Sequence, residues 1–339
     1  GKKVVNSIIL IGGYGRGEGG VVEKNNILYP HNNLDFQIIL NTIRVGNITD
    51  KRQAIIEDIQ KITKDKMITL DFSFNTKSKV RFGIPQLVYY DMKYGHRLVY
   101  GEDSWLLNIK KYHSQNISLH DIRELLINRG TLLILNKKML EKEKITTEEK
   151  MVVVKHFVKA IIGYGDALLY LNGKYHWSYK RKKELMWTIS PTYPAFSRMY
   201  SYAINFRFNP DYQRIIQSDL KMIQRFVVRN VEKIHLKFEK EVSKQENLNW
   251  DTYFDLVMTR PLYLKKLNFL NLTKLIINSF SPSSRTVAKS LQENNIIGNK
   301  FIGNKSFLMA LFPYVLYDIE SSEKEFTNDE SILDFYIKT

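Results

Sequence analysis

No cysteine occurs among the 339 residues. That excludes disulfides and thiolate metal sites, and it fits a reducing compartment, so a cytoplasmic protein is expected. Long apolar runs are missing too. The longest stretch near the C-terminus, FLMALFPYVLY at 307–317, is too short to span a bilayer and contains Pro313. No membrane partner is therefore expected. No signal peptide is visible, although Gly1 leads almost at once into a strand-like segment, as it would after removal of an upstream segment. Acidic residues are the third shortage: 35 Asp and Glu stand against 51 Lys and Arg, leaving a net charge of +16.

The excess of positive charge is uneven. Between Lys174 and Lys240 there are 14 basic and 5 acidic residues, so about a fifth of the chain carries more than half of the net charge. Such a block suits a polyanionic partner: RNA, DNA or a phosphorylated substrate. The plain alternative is a solvated helix surface. Within the block, Lys174, Tyr175, His176, Trp177, Tyr179, Lys180, Arg181, Lys182 and Lys183 alternate aromatic and basic character. Aromatic faces stack on bases while basic side chains meet phosphates. The alternative is that the aromatic residues pack a helix junction.

Two regions are legible along the chain. The first, 1–145, alternates strand and helix signals. VVNSIILI (4–11), LDFQIIL (34–40), MITLDFSF (67–74) and RLVYGED (97–103) read as strands, and DKRQAIIEDIQKIT (50–63) reads as a helix capped by Asp50. The second, 146–339, is helical throughout. Residues 148–173 predict one long helix ending at Gly173, and residues 210–242 predict another with Pro210 near its start. A further helix is expected over 118–140, with Ser118 as its cap. EKEKITTEEK (141–150) marks the expected boundary. NIIGNKFIGNK (295–305) reads as a pair of turns. The expected fold class is α+β: a mixed sheet with flanking helices, then a mostly α-helical domain.

Side chains alternate between the faces of a strand. Asn33, Asp35 and Gln37 therefore share one face, opposite Leu34, Phe36 and Ile38. Likewise Thr69, Asp71 and Ser73 share a face, opposite Ile68, Leu70, Phe72 and Phe74. Each strand is expected to bury its apolar face and to present a polar face holding one aspartate. On neighbouring strands two carboxylates would meet, an arrangement suited to a divalent metal and a triphosphate; taken singly, each Asp could equally lie on a solvated sheet face. Just after the first strand comes IGGYGRGEGG (11–20), in which six of ten residues are glycine. Glycine loses more backbone entropy on folding than any other residue, so the cluster needs a reason. Close backbone approach to a phosphate is one; a flexible hairpin tip is the other.

GGYGRGEGG, then HNNLDFQII, then ITLDFSF, in that order, resemble the nucleotidyltransferase superfamily that includes DNA polymerase beta, kanamycin nucleotidyltransferase and the minimal bacterial nucleotidyltransferases. The resemblance covers roughly the first 110 residues. It implies that Gly12 and Gly13 form the phosphate-binding turn, that Arg16 and Gly17 fall on the family's Arg-Gly, that Asp35 is a metal ligand, and that Asp71 is both ligand and candidate general base. The implied activity is metal-dependent transfer of a nucleoside monophosphate from an NTP to an acceptor hydroxyl, with Mg²⁺ or Mn²⁺ as cofactor. The helical region would then bind the acceptor, through Lys174, Tyr175, His176, Tyr179, Lys180 and Arg181. The positive block disfavours a polycationic acceptor and favours an anionic one such as RNA or tRNA.

Two positions depart from the family pattern. Gly13 stands where many members have Ser, leaving only a backbone amide for a phosphate oxygen. Asn33 stands at the first acid of the Asp-hydrophobic-Asp strand, where the resemblance implies a catalytic metal ligand; an Asn carbonyl can ligate Mg²⁺ weakly but brings no charge, so Asn33 would be a deficient ligand. Three explanations compete: an engineered inactive variant, a natural pseudoenzyme, or a register in which Gln37 takes the second acid position. Glu18 or Glu23 could supply the missing charge. A catalytically dead nucleotide- or RNA-binding module is the alternative function.

Overall fold

Four strands of the first region form one mixed sheet. β1 (Val5–Ile11) lies between β4 (Leu34–Leu40) and β6 (Arg97–Gly101), antiparallel to both, and β5 (Leu70–Thr76) runs parallel to β4 at one edge, giving the order β5-β4-β1-β6. Between β1 and β4 come one helical turn, α1 (Gly12–Gly15), and a separate hairpin of β2 (Val21–Lys24) and β3 (Ile27–Pro30). The computed structural model describes residues 4–24, 26–41, 57–59, 61–62, 68–259, 304–317 and 319. The helix expected over 50–63 falls largely outside these residues, with helical backbone at 57–59 and 61–62, and 295–303 lies outside them altogether.

After β5 the chain forms α2 (Lys77–Phe82), α3 (Leu87–Tyr94) and, beyond β6, α4 (Ser104–Leu107). These helices cover one sheet face, where Ile9 and Ile39 pack with Val80, Tyr89, Met92, Leu106 and Tyr112. The opposite face gathers Ile38, Leu40 and Phe72, with Ile8, Phe36 and Phe74 against them; the Phe36 and Phe72 rings stack at 5.4 Å. This corrects the expectation of one apolar and one polar face. Both faces are core, because the row that holds Asp35 and Gln37 continues into Ile39. Only its end beside α1 is polar.

The helical remainder consists of α5 (Leu119–Leu140), α6 (Thr147–Leu171), α7 (Tyr179–Trp187), α8 (Pro194–Phe208), α9 (Tyr212–Ile216), α10 (Leu220–Ser243), α11 (Trp250–Thr259) and α12 (Asn304–Tyr317). Ser118 Oγ accepts the His120 amide at the start of α5. α6 ends as its glycine predicts: Gly173 has φ +67, and the Lys174 amide donates back to the Leu169 carbonyl. The single helix expected over 210–242 is two. α9 stops at Ile216, and Asp219 starts α10 by accepting the Met222 amide at 3.0 Å.

The chain packs as two compact units, Gly1–Asp121 with Leu169–Tyr212, and Ile122–Leu168 with Gln213–Thr339. The charged stretch 141–150 is the turn of the α5–α6 hairpin inside the second unit. There Thr146 Oγ1 accepts the Glu149 amide and Glu149 accepts the Thr146 amide, a reciprocal cap. The first unit therefore owns not only the sheet but also α7 and α8, instead of ending at 145. In the second unit α10 buries Val227, Val231, Ile234 and Phe238, and its Glu239 meets Arg123 of α5 through two 2.7 Å hydrogen bonds.

Candidate functional site

The site is built where three strands end together. Ile11, the last residue of β1, pairs with Asp35, and Asp35 pairs across the parallel ladder with Asp71. Neighbouring strands lie about 4.8 Å apart, so the two carboxylates project side by side from one face. One row deeper, Ser73 Oγ donates to Gln37 Oε1 at 2.9 Å, and Gln37 is buried. Gln37 thus sits inside the sheet, a full row away from the Asp35–Asp71 pair. Asn33 lies one residue before β4 and is exposed, while the Leu34 amide already donates to the Thr69 carbonyl at 2.9 Å.

The glycine loop passes directly over this pair. Gly12 has φ +67, and a Cβ there would lie 2.7 Å from Asp35 Oδ2. Backbone conformation and space both demand glycine at this position. At Gly13 a Cβ would meet the Arg207 guanidinium at 2.6 Å from Nη2. Gly19 and Gly20 serve packing instead: their missing side chains make room for the Tyr14 ring and the Arg207 carbonyl. Tyr14 closes the loop, its hydroxyl donating to the Gly20 carbonyl at 2.6 Å and accepting the Asn32 amide at 3.1 Å.

The aromatic and basic segment belongs to the same unit. Glu18 Oε2 accepts the Tyr179 amide at 2.7 Å, and its Oε1 accepts the Ser178 hydroxyl at 2.6 Å, so this loop carboxylate caps α7. Glu18 is buried in that role, whereas Glu23 lies on the β2–β3 hairpin. Arg16 is committed as well: its Nη2 donates to Asp91 Oδ2 at 2.5 Å, and Tyr175 Oη donates to the other Asp91 oxygen at 3.0 Å. Three cations surround the Tyr179 ring, with Arg16 Cζ at 4.7 Å, Lys182 Nζ at 4.6 Å and Arg207 Cζ at 4.3 Å from its centroid.

Of the residues expected to meet an acceptor, Tyr175 is buried and turned to Asp91. His176 stacks on Trp177, its Nδ1 accepting the Ser178 amide; burial first, then Arg181 and Lys182, lower its pKa. Lys174 donates to Thr188 Oγ1 at 2.5 Å, and Arg181 pairs with Glu184 at 2.6 Å. Lys180 is exposed and lies 6.0 Å from the Phe208 ring centroid. The sequence reading passed over Arg207 and Asp91. Arg207 stands at the end of α8 inside the basic block, but nothing local marks it as a neighbour of Gly13.

Among the described residues no group of three or more His, Cys, Asp or Glu side chains could hold a metal ion. The pair Asp35–Asp71 is a donor set of two carboxylates. That number suits Mg²⁺, which is commonly held by one or two carboxylates together with substrate phosphates. No family model matches the chain, and no curated protein matches it. Among the described residues no helix is long and apolar enough to cross a membrane.

Proposed function

We propose that the first unit transfers a nucleoside monophosphate from an NTP to an acceptor hydroxyl and releases pyrophosphate. One observation carries the reading: Asp35 and Asp71 stand side by side at the strand ends, with the Gly12–Gly13 turn against Asp35. Asp35 and Asp71 would hold the divalent ion, Mg²⁺ or Mn²⁺, and the ion would supply charge to the phosphates. Gly13 would offer its backbone amide, while the Gly17 amide is held by the Tyr14 carbonyl at 3.1 Å. Asp71, beside the acceptor hydroxyl, would take its proton as the hydroxyl oxygen attacks the α-phosphorus and the bond to the β-phosphate oxygen breaks.

Arg207 replaces Arg16 as the cation we assign to the triphosphate. Arg16 gives its Nη2 to Asp91, whereas Arg207 reaches the space above Gly13. An anionic acceptor such as RNA fits the charge of the chain.

A second reading, a nucleotide-binding module without turnover, is favoured by Asn33, which leaves the site one carboxylate short. Labelled NTPs incubated with the parent protein, Asn33→Asp and Asn33→Asp/Asp71→Asn separate the two. Transfer by Asn33→Asp that disappears in the double variant supports the enzyme. NTP binding in all three with transfer in none supports the module. Calorimetry tests the ligands: loss of NTP-dependent Mg²⁺ binding is expected in Asp35→Asn and in Asp71→Asn, and unchanged binding in both would overturn the assignment.

A further inference from the structure

α10 carries a second basic feature, in the second unit. Lys221, Arg225, Arg229, Lys233 and Lys237 recur every fourth residue, and the first four are exposed. Residues four apart form a continuous ridge inclined about 26° to the helix axis. At about 1.5 Å per residue, the five cations span roughly 24 Å, with about 6 Å between neighbours along the axis. That is close to the spacing of successive phosphates on an extended polynucleotide strand. The carboxylates of α10 are largely turned away from this row. Glu239 is buried against Arg123, and Glu232 accepts the Trp250 indole N–H at 3.1 Å. The row ends at Glu241, which pairs with Lys244 at 3.9 Å.

Two further observations favour a nucleic acid over a generic anion. Phe226 is 52% exposed and Met222 is 58% exposed. Phe226 stands next to Arg225 in sequence and beside Arg229 one helical turn later, so a flat apolar face adjoins the phosphate-spaced cations. A groove of about 510 Å³ also opens along the same helix, lined by Lys137, Lys221, Arg225, Arg229 and one carboxylate, Glu141, over Leu140 and Val228. Four cations against one carboxylate leave its walls net basic, and its floor is apolar, the chemistry of a backbone track with room for a base. A membrane surface would require a broad apolar face, but the apolar side of α10 is spent on Val227, Val231, Ile234 and Phe238 in the core.

We infer that α10 binds a single-stranded polynucleotide, with the Lys221–Lys237 row tracking the phosphates and Phe226 stacking on a base. The inference does not depend on nucleotidyl transfer by the first unit, so either can fail alone. The test is fluorescence anisotropy of the full chain with end-labelled 20-nucleotide single strands, RNA and DNA in separate arms, across a salt series. Five neutralised phosphates give a slope of log affinity against log salt of about −3.5. Replacing Lys221, Arg225, Arg229 and Lys233 with Gln should flatten the slope by nearly three units. Phe226→Ala should weaken binding roughly tenfold or more while leaving the slope unchanged. The Arg225→Lys/Arg229→Lys variant, which keeps the charges, should retain the slope and so controls for misfolding. An unchanged slope in the Gln variant, or binding to phosphatidylserine vesicles without binding to either strand, overturns the inference.

Discussion

Glu18 caps the helix that begins at Tyr179, accepting the Tyr179 amide at 2.7 Å and, through its other oxygen, the Ser178 hydroxyl at 2.6 Å. The residues are 161 positions apart. A carboxylate at a helix N-terminus meets unsatisfied amides and the positive end of the macrodipole, so the contact fixes both the glycine loop and α7. This is why Glu18 is not the spare metal ligand that its place beside Gly17 suggests.

Glu18→Ala should therefore destabilise the protein by about 1–3 kcal/mol, the cost of leaving partly buried donors without their charged acceptor. Glu18→Gln should cost less, because the amide oxygen still accepts one hydrogen bond. Chemical denaturation of the two variants beside the parent checks the order. Equal stability of all three would show that the cap contributes nothing.

Gly12→Ala should be harmful for two reasons. φ of +67 is unfavourable for alanine by about 1–2 kcal/mol, and the new methyl group would press on Asp35 Oδ2. The expected outcome is a stability loss of that order together with loss of NTP-dependent metal binding. Gly17→Ala also has positive φ but nothing within 4 Å. It should lose similar stability and keep the metal, so calorimetry on the pair separates backbone strain from damage to the site.

Asn33→Asp should raise transfer by at least about a hundredfold, in line with the several kcal/mol that metal-borne charge supplies in a transition state. The gain should appear mostly in turnover, because under the proposed function Arg207 and the glycine loop would meet the NTP in either form. Asn33 is exposed and nearly the shape of Asp, so the fold should not respond. Without metal, thermal stability should stay level or drop slightly, since three close carboxylates repel. A parent protein already as active as the variant would show that Asn33 is not the deficient ligand.

Acid should unfold the second unit in two stages. Burial, and then the nearby Lys159, hold the His156 pKa down at about 4. The unfolded chain binds this proton first, so the contribution is complete above about pH 6.5 and fades as pH falls toward 4. Burial alone would raise the Glu239 pKa, but the Arg123 charge and hydrogen bonds, with His235, outweigh it and bring the carboxyl to about 2. Its contribution is present above the ordinary carboxylate value of 4.5 and is lost as pH falls through about 2. Urea unfolding at pH 7.5, 5.5 and 3.5 should show both stages. His156→Gln should abolish the first. Glu239→Ala should cost about 3–5 kcal/mol at neutral pH by stranding the buried Arg123.

The amino-acid order alone determined β1, β4, β5 and β6, because period-two alternation is a local property of the chain, and for the same reason it put Asp35 on the face of Gln37 and Asp71 on the face of Ser73. It determined the end of α6 at Gly173. It also held the sign for a break at Asp219, a good cap residue that the continuous apolar periodicity overrode. Tertiary structure decided the rest. Which strands are neighbours, and in what register, depends on hydrogen bonds between segments some 35 residues apart, so only the folded sheet sets Asp35 beside Asp71. Arg16 and Arg207 look alike as charges in a sequence. Packing gave Asp91 to Arg16 and brought Arg207, from the end of α8, to Gly13. Those pairings join residues 75 and 194 positions apart, and no local periodicity or capping rule reaches across such distances.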